Sequence, residues 1–153
     1  MHAAITIGPE GEFAEVVPFE SSWLKNITIR NNTIRNAGRG YKISEPRAVA
    51  PGAIATEITK FRKIPPLYAG HKNFIISGNT IDGCSVSGIF MCAVDGLNIV
   101  GNKISRTNQD LAGSAYKMPP DHAINCYFST HVTIKDNVIT QPGKYCRGKV
   151  LNQ

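Results

Sequence analysis

Apolar and polar residues alternate in short runs through the stretch from Gly88 to Ile104. Ile89 and Met91 are separated by one residue, and so are Leu97 and Ile99. A period of two places every second side chain on the same face of an extended strand, so each run predicts a short β-strand with one buried face. The stretch therefore predicts two strands joined by a bend, with a third short strand at its end.

Three other segments repeat these positions. Aligning the chain with itself gives six columns of four residues, five of them mostly apolar and one made only of asparagine. Such repeats predict a solenoid, in which each rung buries its apolar face against the next. The columns are Ile5, Ile54, Ile89, Ile124; Ile7, Thr56, Met91, Cys126; Ile27, Phe74, Leu97, Val132; Ile29, Ile76, Ile99, Ile134; Asn32, Asn79, Asn102, Asn137; and Ile34, Ile81, Ile104, Ile139.

The asparagine column has two physical explanations. A tight bend between short strands needs a residue near the left-handed backbone conformation, which asparagine tolerates better than most residues. Side-chain amides stacked about 4.8 Å apart can also hydrogen-bond from one rung to the next. We therefore predict that the column is a structural ladder of Asn32, Asn79, Asn102 and Asn137.

The rungs differ in the segments that connect their strands. Long segments interrupt the first two rungs at the same corner, at Gly8–Trp23 and Glu57–His71, and others follow at Ala37–Pro51 and Thr107–Asp121. Insertions at one corner of a solenoid lie on one face, which is often its binding face. The tail, Gln141–Gln153, loses the repeat, and we expect a polar cap or a frayed end there.

Composition narrows the choice of partners. Lys and Arg outnumber Asp and Glu by 17 to 11 over 153 residues, which gives a net charge of +6. The basic residues are scattered, whereas nucleic-acid binding favours a basic stripe with stacking aromatics. No apolar run approaches the roughly 20 residues that a membrane span needs. We expect neither nucleic acid nor membrane as a partner, while an acidic polysaccharide is compatible with the charge.

The four cysteines have no spacing typical of a zinc site, and we expect neither a metal nor a cofactor. Cys126 occupies an inward column and is expected to be a small core residue. Cys84 and Cys92 flank one strand, so a disulfide between them is one alternative. The sequence alone leaves the redox compartment open.

The strand pattern begins at Ala3, without the capping element that normally precedes the first rung of a solenoid. The length predicts that residues 1–153 form a single domain. The missing cap indicates either that this domain is part of a longer protein, such as its C-terminal part, or that it closes its open edge against another copy in a homo-oligomer. Secretion or a periplasmic location is expected if a signal peptide precedes the sequence, and a cytoplasmic one otherwise.

Four segments carry the clearest copies of the repeat: NITIRNNTI from Asn26, NFIISGNTI from Asn73, LNIVGNKI from Leu97 and HVTIKDNVI from His131. They cover most of the chain and resemble the right-handed parallel β-helix superfamily, whose pectate-lyase-like fold has three short parallel sheets. The resemblance implies an all-β fold, a right-handed parallel β-helix of about four rungs with an asparagine ladder.

A narrower resemblance rests on Ala53-Ile54, HKNFIISGNTIDG from His71 and VDGLNIVGNKI from Val94. These segments look like the C-terminal rungs of β-helical glycoside hydrolases of the α-galactosidase type, such as glycoside hydrolase family 110. The resemblance implies that a polysaccharide or oligosaccharide is bound or cleaved in a groove along the first sheet. It assigns no catalytic residue, because no carboxylate cluster here matches the family's. The alternative is a non-catalytic structural or glycan-binding module.

Outward positions of the first sheet supply the candidate substrate-binding residues. Exposed rings of Phe90 and Tyr127 can stack on a sugar, and Asn125 can bond to its hydroxyls. His122 precedes the same strand and is a candidate general base or a cap of the bend. In the alternative interpretation, long loops fold over Phe90 and bury it.

Glycoside hydrolysis generally needs two carboxyl groups about 5 to 10 Å apart. Glu10, Glu57 and Asp95 leave one corner of successive rungs, and Asp121 lies on the opposite wall of the groove. These four residues are the candidate catalytic carboxylates. A polysaccharide lyase is less favoured, because the clustered acidic residues of a calcium site are missing.

Overall fold

A computed structural model of the protein describes residues 4–7, 23–38, 52–56, 70–111 and 118–153. These residues form thirteen β-strands and no helix, so none of them belongs to a helix long and apolar enough to cross a membrane. The strands are β1 (Ile5–Ile7), β2 (Lys25–Arg30), β3 (Thr33–Arg35), β4 (Gly52–Thr56), β5 (His71–Ser77), β6 (Thr80–Asp82), β7 (Ser87–Cys92), β8 (Val94–Val100), β9 (Lys103–Ser105), β10 (His122–Tyr127), β11 (Thr130–Lys135), β12 (Val138–Thr140) and β13 (Gly148–Asn152).

The strands form three parallel sheets. The first has the order β1-β4-β7-β10-β13, the second β2-β5-β8-β11 and the third β3-β6-β9-β12. Consecutive strands therefore lie in different sheets, and the chain returns to the first sheet one layer further on after each circuit. Four complete rungs result, which confirms the predicted all-β parallel β-helix.

The observed register reproduces the columns of the sequence. Ile54 pairs with Ile5 on one side and with Ile89 on the other, and Ile89 pairs with Ile124. The columns of the second and third sheets pair in the same way. A shift of one residue would turn every inward side chain outward, so the apolar columns fix the register.

The inward side chains of the three sheets form one core. In the middle rungs Phe74, Leu97 and Ile99 are inaccessible to solvent, and each such side chain contributes about 1.5–3 kcal/mol relative to an exposed one. In the last rung Val132 and Ile134, from the same columns, are only partly buried. The core is thus closed in its middle and less covered at its end.

The asparagine column forms the predicted ladder. Asn32 donates to Oδ1 of Asn79 at 3.0 Å, Asn79 to Asn102 at 3.0 Å and Asn102 to Asn137 at 2.9 Å. The backbone N–H of each donor residue is bonded to the same oxygen. The last three amides also donate to the carbonyl of an inward isoleucine of the preceding rung. The ladder therefore pairs polar groups inside the core.

The prediction of a left-handed backbone at the ladder positions is wrong by one residue. That conformation lies immediately before the ladder, at Asn31, Gly78, Gly101 and Asp136, where φ is between 56° and 65°. Glycine, asparagine and aspartate adopt it at the least cost. The preceding residue therefore makes the bend, and the ladder asparagine provides the hydrogen bonds.

The prediction of a polar cap or frayed end is wrong for part of the tail. β13 pairs with β10 as a fifth strand of the first sheet, with Val150 opposite Ile124 and Leu151 opposite Asn125. This strand extends the first sheet one layer beyond the other two.

Candidate functional site

The outer face of the first sheet is covered. Ala55, Phe90 and Asn125 are neighbours in one outward row, and all three are buried. Phe90 is 0% exposed, so its ring offers no face to a sugar in this structure, and the alternative interpretation of burial is the one observed. An apolar cluster outside the sheet contains Ala55, Phe90, Cys92, Ala93, Met118 and Tyr127, with partly buried Trp23 and Leu151.

Tyr127 ties this cluster to the segment that precedes β10. Its ring centroid lies 5.5 Å from that of Phe90, and its hydroxyl donates to the carbonyl of Pro119 at 2.9 Å. Burial raises the pKa of the phenol to about 12. Tyr127 thus helps to hold Met118 against the sheet and, like Phe90, is buried.

Polar side chains meet at the amino-terminal end of β10. Nδ1 of His122 is 2.7 Å from Oδ1 of Asp121, and the two side chains are 17% and 14% exposed. Nε of Arg147 lies 3.5 Å from the other carboxylate oxygen of Asp121. The amide of Asn125 donates to Oγ of Ser87 at 2.6 Å and to the carbonyl of His122 at 2.8 Å. These five residues are referred to below as the polar patch.

Asn125 has an unpaired acceptor in the polar patch. Because the carbonyl of His122 can only accept a hydrogen bond, the amide nitrogen of Asn125 must face it. The amide oxygen is buried and has no hydrogen-bond partner among the described residues. An unpaired buried acceptor costs about 1–3 kcal/mol, so a donor that reaches this oxygen would be bound favourably.

The tail completes the polar patch, which the sequence pattern did not predict. Gly148 pairs with His122, and a Cβ at position 148 would lie 2.6 Å from Cδ2 and 2.8 Å from Nε2 of the imidazole. Glycine therefore lets the ring lie against β13. The amide of Arg147 donates to the carbonyl of Asp121 at 2.7 Å, which brings its side chain beside the carboxylate. Sequence reasoning missed Ser87, Arg147 and Gly148, because they lie outside the repeat columns. The one sequence signal for them was Gly148, since a glycine in a strand often marks a place where another group lies close to the backbone.

The structure does not bring the two described candidate carboxylates, Asp95 and Asp121, together. Glu10 and Glu57 lie outside the described residues. Asp95 pairs with Thr130, beyond the carboxyl end of β10, whereas Asp121 precedes the amino end of that six-residue strand. The strand spans about 17 Å, which exceeds the separation of about 5 to 10 Å found in glycosidases. Asp95 and Asp121 therefore do not form a catalytic pair in this arrangement.

Asp95 forms a second aspartate–histidine pair. Its Oδ1 lies 2.7 Å from Nδ1 of His131 and accepts a hydrogen bond from Thr130 at 2.8 Å. The hydrogen bond from His131 lowers the pKa of Asp95 most, and the hydrogen bond from Thr130 lowers it further. The side chain of His131 is 83% exposed, against 17% for His122. The two pairs thus share a contact distance and differ in burial.

The cysteines are free thiols, so the alternative of a Cys84–Cys92 disulfide is not realised. Burial raises the pKa of Cys84, Cys92 and Cys126 to about 12. Within the described ranges, no three His, Cys, Asp or Glu side chains are grouped so that they could hold a metal ion. The polar patch itself offers a carboxylate, a guanidinium, an imidazole and an amide as hydrogen-bonding groups.

A family model described as right handed beta helix region matches residues 17–148. No curated protein and no solved structure matches the chain. The family match spans most of the sequence, and the three parallel sheets and the ladder agree with it. The protein therefore belongs to the right-handed β-helix family.

Proposed function

We propose that this β-helix is a carbohydrate-active module that binds an acidic glycan at the polar patch. The observation that carries the proposal is the partly shielded contact of 2.7 Å between Asp121 and His122, whose carbonyl accepts a hydrogen bond from the buried amide of Asn125. The resemblance to pectate-lyase-like proteins supports it, because it implies carbohydrate binding along the same sheet.

The groups of the polar patch suit a polyhydroxylated, negatively charged ligand. The carboxylate of Asp121 accepts hydrogen bonds from sugar hydroxyls, and the imidazole of His122 donates or accepts one. Arg147 is 79% exposed, and its planar guanidinium can bind a uronate or sulfate group through two hydrogen bonds. The net charge of +6 favours acidic over neutral glycans.

We propose that the polar patch binds a glycan, and we do not extend the proposal to cleavage of the glycan. Hydrolysis would require a second carboxyl group about 5 to 10 Å from Asp121, and Asp95 is too distant. Glu10 and Glu57 keep this role as predictions from the sequence. Release of reducing ends from a bound glycan, abolished by Asp121→Asn and by Glu57→Gln or Glu10→Gln, would extend the proposal from binding to hydrolysis.

Calorimetric titration with a panel of uronate-containing, sulfated and neutral oligosaccharides tests the proposal. We expect an acidic oligosaccharide to bind, and His122→Ala to weaken it about tenfold or more, because a hydrogen bond to a charged group is worth about 1.5–3 kcal/mol. His131→Ala is the matched control, since its pair has the same contact distance on an exposed surface. Equal affinities of the two variants, or no binding to any member of the panel, would contradict the proposal.

The buried outer face of the first sheet favours a second candidate, a non-catalytic structural module. Phe90 and Met118 fill the surface on which the resemblance implies a ligand groove. A structural module would bind none of the oligosaccharides and release no sugar from them. The same panel therefore separates the two candidates.

A further inference from the structure

The asparagine ladder has a donor end and an acceptor end. At every step the backbone N–H and the side-chain amide of one asparagine donate to Oδ1 of the asparagine in the next rung. Asn32 begins the described ladder and is exposed, so its Oδ1 has no ladder donor. Asn137 ends it, so its N–H has no ladder acceptor among the described residues. The two ends of the β-helix are therefore complementary to each other.

The apolar columns end at the same two places. Ile5 and Ile27 in the first rung, and Val132, Ile134 and Ile139 in the last, are only partly buried. Ile7, Ile29 and Ile34 of the first rung are 5–8% exposed, so the first end presents two of its column residues and the last end three. A depression of about 570 Å³ at the first rung is lined by Ile5, Thr28, Ile29, Arg30 and Asn32.

The first sheet makes the two ends differ by one strand. β13 lies outside β10, whereas β11 and β12 are the outermost described strands of the other two sheets. If β2 and β3 of a second copy paired with β11 and β12, its β4 would meet β13. The second copy's own β1 occupies that place, but it pairs with β4 over three residues only, Ile5–Ile7.

We propose that copies of this chain associate head to tail, with β11, β12 and β13 of one copy pairing in parallel with β2, β3 and β4 of the next, and β13 replacing β1. Val150 then takes the position of Ile5 beside Ile54, and Asn137 donates to Asn32 across the junction. Because the same interface repeats without closing, the product is an open series of oligomers.

Repulsion between like charges at the junction opposes this association and makes it depend on ionic strength. The second sheet aligns Arg30, Ser77, Val100 and Lys135 in one row, so Arg30 of the next copy would lie beside Lys135, about 4.8 Å away. Like charges directly opposite each other are unfavourable, and salt screens them. Association should therefore increase with ionic strength.

Charge reversal at the junction provides one test, with sedimentation velocity at low salt as the measurement. We expect Arg30→Glu to strengthen association several-fold, because it faces Lys135 with the opposite charge, and the double variant Arg30→Glu/Lys135→Glu to reverse the gain. Lys103→Glu is the control, because Lys103 is equally exposed but lies in an internal rung. Equal effects of Arg30→Glu and Lys103→Glu would overturn the proposal.

A directed cross-link provides the second test. The third sheet aligns Arg35, Asp82, Ser105 and Thr140, so Arg35 and Thr140 would be neighbours across the junction. Mixing an Arg35→Cys chain with a Thr140→Cys chain under mild oxidation should give a disulfide-linked dimer, since neighbouring strands bring Cα atoms within the roughly 4.4–6.8 Å that a disulfide needs. A mixture of Lys103→Cys and Thr140→Cys chains has the same native thiols and should give none.

Sedimentation of the unsubstituted chain over a wide concentration range needs no variant. Larger species at high concentration, with a cross-link in the first mixture alone, would support the proposal. A monomer at every concentration and ionic strength, no cross-link, or equal cross-linking in both mixtures would overturn it.

Discussion

Replacing Asn102 by alanine should remove the most heavily bonded step of the ladder. Its side chain is inaccessible to solvent. The amide donates to the carbonyl of Ile76 and to Oδ1 of Asn137, both at 2.9 Å, and its Oδ1 accepts two hydrogen bonds from Asn79 at 3.0 Å. The amide also donates to the carbonyl of Val100 at 3.4 Å. The substitution therefore breaks five hydrogen bonds and removes a partner from buried polar groups of Asn79 and Ile76.

The size of the loss follows from these contacts. A hydrogen bond contributes about 1 kcal/mol net, and a buried partner left unpaired costs about 1–3 kcal/mol. We expect Asn102→Ala to lower the free energy of unfolding by roughly 4 kcal/mol, a large part of the about 5–15 kcal/mol typical of a domain. Asn32→Ala is the matched control. Its exposed amide donates to the carbonyl of Arg30 and to Asn79, and water can replace both bonds, so we expect a loss of about 1 kcal/mol or less.

Urea unfolding followed by circular dichroism, with linear extrapolation to water, measures both variants. We expect them to differ by about 3 kcal/mol, with similar dependence on urea concentration. A difference below about 1 kcal/mol would refute the reasoning. It would mean that the apolar columns stabilise the rungs without a significant contribution from the ladder.

Three further predictions concern other parts of the structure. Burial lowers the pKa of His71, whose Nδ1 accepts a hydrogen bond from the amide of Leu24 at 3.1 Å. The unfolded state therefore binds this proton more readily, and the free energy of unfolding should fall as pH drops below about 6.5. His71→Gln should lose less stability in thermal melts between pH 8 and 5, and an equal loss would contradict the assignment. Only Cys146 should react rapidly with a chromogenic thiol reagent at pH 8, because the other three thiols are buried with pKa values of about 12. The absorbance of the released chromophore counts the reacting thiols, and rapid release of more than one equivalent would contradict the prediction. Gly148→Ala should displace the ring of His122, and unchanged imidazole resonances in the NMR spectrum would show that the close contact has no such effect.

The repeat could be predicted because its signal is carried by residue type at fixed positions. Ile5, Ile54, Ile89 and Ile124 are identical, since each occupies the same inward position against the same neighbours. The strand β13 could not be found in this way. Its inward positions are Val150 and Asn152, of which only one is apolar, and no second-sheet or third-sheet strand follows it among the described residues.

The candidate site could be predicted only in part. The position of β10 indicated Asp121, His122 and Asn125, and the structure brings these three together. The cover over Phe90 depends on Met118, which belongs to a connecting segment and carries no repeat signal. Such contacts form between elements distant in the sequence, and local periodicity contains no information about them.

The spacing of the ladder residues in space does not depend on the number of residues between them in the sequence. Successive ladder asparagines are 47, 23 and 35 residues apart, yet their amides are bonded at 3.0, 3.0 and 2.9 Å. A segment of foreign sequence added at a corner would therefore leave the stacking register unchanged. Corner segments of different length are thus compatible with one core, which makes this β-helix a suitable frame for loop grafting.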